Sequence, residues 1–357
     1  MFEFKGIKQA KRQGDIPTDE NGIVYVVQSM SNNMVSRKVN RQYLIDIDEP
    51  PVEGNCIVLG VTLPAISYQP NEFGASQVIT ARAPFLNNKN SLFFVNIINK
   101  HMYQFSYQNK PGIEIYKNLN IQLPITPTGE IDFDFMESFI SELEEERISE
   151  LNAYLDVTGL KDYTLTKEEE NALQDFSSLT WQKFNVGELY GKSTRGKRLK
   201  SADRIPGELI FVTAGETDEG ISARIGNDVE IFSANTTTID MFGSAKYRNY
   251  QYGADDHVAV VHTEHLSKFA SIFVTSAIHK SSHTGKFDYS RNFYAKDADE
   301  LLILLPTKNG EPDYSSMETF ISAIQKLVIK DVVLYADKKI CATKDVIQKI
   351  IPKPSGC

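Results

Sequence analysis

The chain contains its own pattern twice. Residues 129–141 read GEIDFDFMESFIS and residues 310–322 read GEPDYSSMETFIS, identical at eight of thirteen positions. Leu123-Pro124 is matched by Leu305-Pro306 just upstream, and Phe105-Ser106-Tyr107 by Phe287-Asp288-Tyr289. Phe73-Gly74-Ala75 answers Tyr252-Gly253-Ala254, each five residues after a tyrosine, Tyr68 or Tyr247. Gly22 to Val27 pairs with Gly207 to Val212, and Lys11-Arg12 falls opposite Lys197-Arg198. Matches in one order along the whole chain mean a duplication, so the fold is two related halves with two cores.

Each half opens with short apolar, β-branched and aromatic runs: 23–27, 56–61 and 92–98, then 208–213, 258–261 and 270–278. Turn-formers such as Pro50-Pro51, Asn87-Asn88 and Gly226-Asn227 separate them, so they read as strands of an irregular mixed sheet. The period then changes. Met136, Phe139, Ile140, Leu143, Ile148, Leu151 and Leu155 recur at helical spacing, as do Met317, Phe320, Ile321, Ile324, Leu327, Val328, Leu334 and Tyr335. Asp132 or Asp134 can cap the first helix and Asp313 or Ser315 the second. Thr166-Lys167-Glu168-Glu169 is a capping-box pattern that opens a short helix to about Phe176. The expected class is α+β: a first sheet domain over 1–131, a long helix over 132–157, a helical linker over 158–180, a second sheet domain over 181–312, and a second long helix with a tail over 313–350.

Apolar stripes on two such helices favour their burial against one another. The expected arrangement is an antiparallel coiled coil with pseudo-twofold symmetry and a domain at each end. A helix of about 24 residues spans ~36 Å, close to one turn of B-DNA at about 34–36 Å. Two like units held that far apart can face two segments of one duplex.

The formal net charge is −9, but the acid is concentrated in 142–150 and 167–170, on segments read as helices. Lys192, Arg195, Lys197, Arg198, Lys200 and Arg204 form a basic run elsewhere, and placement matters more than the sum. No apolar run approaches the about 18 residues of a membrane span, and no membrane partner is expected. Cys56, Cys341 and Cys357 are too few and too scattered for a disulfide framework or a zinc site. With no signal peptide at Met1-Phe2-Glu3-Phe4-Lys5, a cytoplasmic location is expected.

Catalytic signatures are near misses. Gly187 to Ser193 resembles a phosphate-binding loop but is one residue short between its glycines. There is no dinucleotide fingerprint, nucleophile elbow or base-holding Asn-Pro-Pro-Tyr. His262, His265, His279 and His283 have helix-compatible metal spacing but no third ligand near in sequence. No catalytic residue, metal ligand or cofactor is expected in this chain.

Several segments resemble those of the specificity subunits of type I restriction–modification systems and related systems. Trp181 to Tyr190 (WQKFNVGELY), Gly196 to Asp203 and Ile210 to Gly215 are similar to the start of a target-recognition domain, and Phe287 to Arg291 to its closing segment. The repeated GEIDFDFMESFISELE and GEPDYSSMETFISAIQ resemble the family's helix-leading regions. The resemblance implies a non-catalytic subunit of a methyltransferase/endonuclease complex. Each target-recognition domain would read half of a bipartite double-stranded DNA site. The helices would act as a ruler that also holds DNA methyltransferase subunits, and restriction endonuclease subunits can join. S-adenosylmethionine would bind the methyltransferase. One departure stands out: the first half begins at Phe4-Lys5-Gly6 without counterparts of Trp181 and Phe184.

Base reading needs side chains at base edges, and cations at phosphates set register. For phosphates the candidates are Lys11, Arg12, Lys197, Arg198 and Lys200. For bases they are the polar residues after the first strands: Ser29, Asn32, Asn33, Thr213, Glu216 and Arg224. Tyr68, Tyr247, Tyr107 and Tyr289, with Arg248 and Arg291, are further candidates, although repeated aromatics belong more often to a core. Met136, Phe139, Met317 and Phe320 are assigned to packing. A duplicated protein-interaction scaffold is the rival reading, and a nuclease with an unusual site a third. If the helices are a ruler, inserting four residues (about one turn) into 141–150 changes the tolerated spacer without changing either half-site, as read by selection from random duplexes.

Overall fold

The computed structural model describes residues 1–8, 13–106 and 108–350, with side chains to residue 342. The chain divides into two compact units, Met1–Leu151 and Asn152–Cys357.

The first unit contains β1 (Glu3–Ile7), β2 (Thr18–Val26), β3 (Val35–Val39), α1 (Arg41–Asp46), β4 (Cys56–Gly60), β5 (Ile66–Gln69), β6 (Gly74–Ala75), β7 (Val78–Arg82), α2 (Asn90–Met102), α3 (Ile113–Lys117) and α4 (Phe133–Val157), whose last turns pass into the second unit. The second contains α5 (Lys167–Asp175), β8 (Trp181–Asn185), α6 (Val186–Tyr190), β9 (Thr194–Arg195), β10 (Pro206–Val212), β11 (Ile221–Ile225), β12 (Thr236–Asp240), β13 (Ala245–Arg248), β14 (Tyr252–Ala254), β15 (Val258–Val261), α7 (Lys268–Ser282), α8 (Ala295–Asp299), β16 (Leu302–Lys308), β17 (Glu311–Pro312) and α9 (Tyr314–Ile350).

The sheets repeat. An antiparallel sheet β1-β7-β4-β5 matches β9-β15-β12-β13, and a hairpin sheet β3-β2-β6 matches β11-β10-β14. In both hairpin sheets the third strand is parallel to the middle one, Tyr25 facing Gly74 and Phe211 facing Gly253. That register makes Tyr25 the counterpart of Phe211, one residue off the pairing of Gly22 with Gly207 expected from sequence.

Two apolar runs expected as strands, 92–98 and 270–278, are helices: they lie within α2 and α7. Short apolar runs carry no period that separates a buried strand from a buried helix. Here Phe94, Ile98 and Met102 recur every four residues and bury one face against Ile57, Leu59, Ile79 and Ala81 of the sheet. Ser267 caps α7 through the Ala270 N–H, and Asn87 accepts from the N–H groups of Lys89 and Asn90 at the start of α2. The other face of the first antiparallel sheet, with Cys56, Val58 and Val78, packs on Val26, Met34 and Phe73. Burial pushes the Cys56 thiol up to about 11.

The long helices begin alike. Asp132 accepts from the Phe135 N–H at 2.9 Å and Asp313 from the Ser316 N–H at 3.1 Å, each cap being worth about 1 kcal/mol. The same aspartates' N–H groups bond the carbonyls of Pro124 and Pro306. Met136 and Met317 are fully buried, one in each core. The other packing assignments divide: Phe320 is half-buried, but Phe139 is 45% exposed. The lengths differ too, because Gly159 in the left-handed region follows α4 whereas α9 meets no glycine or proline and runs 37 residues, beyond the about 24 expected.

The halves also differ at their entrance. β8 pairs with β16 from Asn185–Leu302 to Trp181–Pro306. The first unit has an opening strand, but β1 pairs with β7 as β9 does with β15, so it is not the counterpart of β8. Among the described residues no strand pairs with 120–124, the counterpart of the β16 residues that pair with β8; this segment stays irregular, and a bridge from Ile125 to Ile131 follows it. No helix among the described residues is long and apolar enough to cross a membrane.

α5 lies on α9 within the second unit. Its capping box forms as expected at Thr166 and Glu169. The buried Glu169 carboxylate accepts from Ser322 Oγ at 2.6 Å and Lys326 Nζ at 3.0 Å. Burial raises its pKa, but the bonds from Ser322, the Thr166 N–H and Lys326 outweigh that and hold it below the usual carboxylate range. A depressed folded pKa means stability that is present above the unfolded value and lost as pH falls through the folded one. Glu169→Gln is therefore expected to lower stability at neutral pH by about 2 kcal/mol and to flatten the loss of stability below pH 5, measured by urea unfolding across pH.

Candidate nucleic-acid interface

The feature the duplication repeats most closely is a loop at the end of the hairpin sheet: residues 27–34 between β2 and β3, and 213–220 between β10 and β11. Both contain left-handed residues, Asn32, Asn33 and Met34 in one and Asp218, Glu219 and Gly220 in the other. Such conformations cost about 1 kcal/mol or more each and persist only where neighbours hold them.

The holding group is equivalent in the two units. Gln69 at the end of β5 donates from Nε2 to the Asn33 carbonyl at 3.0 Å. Arg248 at the end of β13 donates from Nη2 to the Glu219 carbonyl at 2.8 Å. Arg248 is 2% exposed, its Nε on Thr238 Oγ1 and its Nη1 on Tyr250 Oη, with the guanidinium over the Tyr252 ring. Put forward from sequence as a DNA contact, it is instead the internal support of the second tip. Tyr68 and Tyr247 are framework as well. Each hydroxyl donates at 2.9 Å to an asparagine side chain, Asn55 or Asn235, both left-handed turn residues. Tyr68 is buried, and burial raises both phenols' pKa.

Ser29, Asn32 and Asn33 share the first tip, Ser29 half-buried and the asparagines exposed. Asn32 and Asn33 spend their side-chain amides on the carbonyls of Val35 and Tyr68. Half-buried Thr213 and exposed Glu216 share the second tip. Beneath each tip the chemistry diverges. Gln28 Oε1 accepts from the N–H groups of Val61, Thr62 and Leu63 and from the Thr62 hydroxyl. In the second unit the buried Asp240 accepts from the Gly215, Phe242 and Ser244 N–H groups, with Lys246 Nζ at 3.4 Å. Lys246 also reaches Glu216 at 3.5 Å, and bonding by Ser244 together with Lys246 lowers the Glu216 pKa.

The basic run meets the second tip at its base. The Asp255 N–H bonds the Val212 carbonyl where β10 enters the tip, and Asp255 Oδ1 accepts from the Leu199 N–H. Gly196 is required there, since a Cβ would lie 1.6 Å from the Ala254 carbonyl oxygen. Lys197, Arg198 and Lys200 are exposed along this loop. Arg198 leans on Asp256 at 3.7 Å and His257 at 3.4 Å. Asp255, Asp256 and His257 have ligand-type atoms within 4.8 Å of one another, and they anchor this loop. Arg204 turns inward over the Phe211 ring.

Tyr289 is 85% exposed and packs edge-on against Phe242, beside Asp240. Arg291 pairs with Asp297 at 3.0 Å and lies over Phe287. Lys11, Arg12 and Tyr107 lie outside the described residues. The register identifies two cations that sequence comparison overlooks, Lys38 as the counterpart of Arg224 and Lys8 as that of Lys197. Lys38 and Arg224, both exposed, face equivalent residues of the hairpin, Val24 and Ile210. Counting on from Gly6↔Ile79 and Arg195↔Ala259, exposed Lys8 stands where Lys197 does. The only sequence signal for either was the strand pairing itself.

Comparison with known proteins agrees with this anatomy. Residues 1–153 match the family model described as the type I restriction modification DNA specificity domain. The specificity subunit S.BcgI of a type II restriction enzyme from Heyndrickxia coagulans is 26% identical over 251 residues, covering 68% of this chain and 69% of that one. The solved S subunit of a type I restriction–modification system from M. genitalium shares the fold with a TM-score of 0.53 at 14% identity, covering 98% of this chain and 92% of that one. The first 153 residues thus match a type I restriction modification DNA specificity domain, and the chain as a whole is similar to specificity subunits of restriction–modification systems.

Proposed function

We propose that the chain reads a bipartite double-stranded DNA target, one half-site per unit, and brings DNA methyltransferase subunits, and in restriction systems endonuclease subunits, to that target without performing the chemistry itself. The observation that carries this reading is the pair of supported tips. Two equivalent loops are held in strained conformations by equivalent buried donors, yet they present different side chains: Ser29, Asn32 and Asn33 in one, Thr213 and Glu216 in the other. A common scaffold with divergent polar tips is what reading two different sequences requires. Lys8, Lys38, Lys197, Arg198, Lys200 and Arg224 are the residues for phosphates, and exposed Tyr289 adds an aromatic edge beside the second tip. The long helices set the spacer. S-adenosylmethionine binding and base methylation belong to the partner, and the name of S.BcgI supports a partner that also cuts.

The deciding experiment is purification of the tagged chain from its own cells with nuclease treatment, followed by mass spectrometry and methylome sequencing. Recovery of a DNA-adenine methyltransferase and one bipartite methylated motif is expected; other partners, with no methyltransferase, overturn the reading in favour of a scaffold. Two variants separate the roles in the assembled complex. The triple change Lys197→Ala, Arg198→Ala, Lys200→Ala should make the salt dependence shallower by roughly 0.9 in slope for each phosphate that is no longer neutralised, with the motif unchanged. Arg248→Met should leave the salt slope alone, weaken reading of the second half-site only, and cost about 1–3 kcal/mol of stability through unsatisfied buried partners.

A further inference from the structure

The two tips correspond residue by residue. Each is closed by an equivalent strand pair, Val26 with Val35 and Val212 with Ile221, and the loops 27–34 and 213–220 are equal in length. Their left-handed residues fall at matching places, Asn32, Asn33 and Met34 against Asp218, Glu219 and Gly220. This correspondence sets Met30 opposite Glu216. Met30 is 75% exposed and the Glu216 side chain 69% exposed. One place in a repeated loop therefore presents a thioether in the first unit and a carboxylate in the second. The frame beneath differs to match. Lys246 reaches Glu216 Oε1 at 3.5 Å while holding Ser244 Oγ at 3.0 Å and Asp240 at 3.4 Å. Counting along the matched middle strands, Ser67 stands where Lys246 does and Gly60 where Asp240 does. The cation and the acid that steady Glu216 thus have uncharged counterparts under Met30.

Charge decides what each apex can meet. Ser244 and Lys246 hold the Glu216 carboxyl below the usual range, so it is ionised and only accepts hydrogen bonds. Exposed Asp218 and Glu219 share its tip, whereas 27–34 carry no charged residue. Three carboxylates are repelled by phosphate and gain only where a base edge offers a donor. In the major groove adenine N6 is flanked by that base's own acceptor N7, which an acceptor-only group repels; cytosine N4 is not. Thymine presents an oxygen and a methyl group on the same edge, and the methyl group suits an apolar side chain. We propose, as a step that rests on the DNA reading, that this position discriminates pyrimidines: Glu216 accepts the N4 amino group of a cytosine in the second half-site, and Met30 packs on the C5 methyl group of a thymine in the first. Each choice excludes the other base. Thymine O4 would face Glu216 acceptor to acceptor, and a cytosine amino group beside Met30 would lose its water without gaining a hydrogen bond.

The test uses the full chain assembled with its own methyltransferase subunits. Methylome sequencing gives the motif, and competition between duplexes that differ at one base pair gives the preference. Glu216→Met should lower the preference for cytosine over thymine at one position of the second half-site by about ten- to hundredfold, with the first half-site unchanged. Met30→Glu should make the converse change, thymine to cytosine, in the first half-site alone. Met30→Leu, still apolar, should keep the thymine. Both positions are exposed, and in each variant the untouched half-site and unchanged thermal unfolding show that the complex is intact. A bipartite motif that stays the same in Glu216→Met or in Met30→Glu overturns the proposal and leaves the DNA reading standing. So does a second half-site without cytosine or a first without thymine. An unaltered complex that selects no bipartite motif overturns the DNA reading, and this proposal with it.

Discussion

The tips on which the proposed reading rests depend on one kind of bond: a donor buried in the antiparallel sheet reaching across to a backbone carbonyl in a left-handed turn. Gln69 makes it to Asn33 and Arg248 to Glu219. A loop with several left-handed residues has little reason to keep one shape by itself. Anchored to a sheet whose middle strand is buried at every residue, it becomes a fixed surface, and a fixed surface distinguishes one hydrogen-bond pattern from another without first ordering itself. The guanidinium in the second unit is the costlier solution because a cation is buried with no carboxylate partner among the described residues. Hydroxyls, a carbonyl and the Tyr252 face take up its bonding instead.

The two units hold their tips with the same geometry and different chemistry beneath. A neutral amide, Gln28, gathers three backbone N–H groups in one. In the other, Asp240 gathers three and pairs with Lys246. Duplicated domains can diverge in this way when the fold rests on positions the reading surface does not use. The tyrosine–asparagine bonds, the methionine at the root of each long helix and the aspartate caps are the shared positions. The tip side chains and their supports are the variable ones.

Much of the architecture was legible in the sequence because duplication turns weak local signals into paired ones. The caps at Asp132 and Asp313, the capping box at Thr166 and the buried Met136 and Met317 follow from residue type and spacing. The helical identity of 92–98 and 270–278 did not, since a short apolar run has no readable period. Among the candidate contacts, sequence located the tips but could not tell a side chain pointing outward from one pointing in. Tyr68 and Tyr247 recur for structural reasons, and recurrence alone carries no direction. Lys8 and Lys38 were invisible because their equivalence to Lys197 and Arg224 is a matter of register, and a bulge in each hairpin shifts that register.

The two routes into the long helices differ mechanically. In the second unit the chain reaches its long helix through β16, which is zipped to β8 over five register pairs; a pull along that helix loads those bonds in shear, together. In the first unit it arrives through an unpaired segment, secured by the Ile125–Ile131 bridge and the bond from the Asp132 N–H to the Pro124 carbonyl, which a pull breaks one after another. The root of α4 is therefore the weaker of the two attachments, a place where a load along the helix parts bonds in sequence rather than at once.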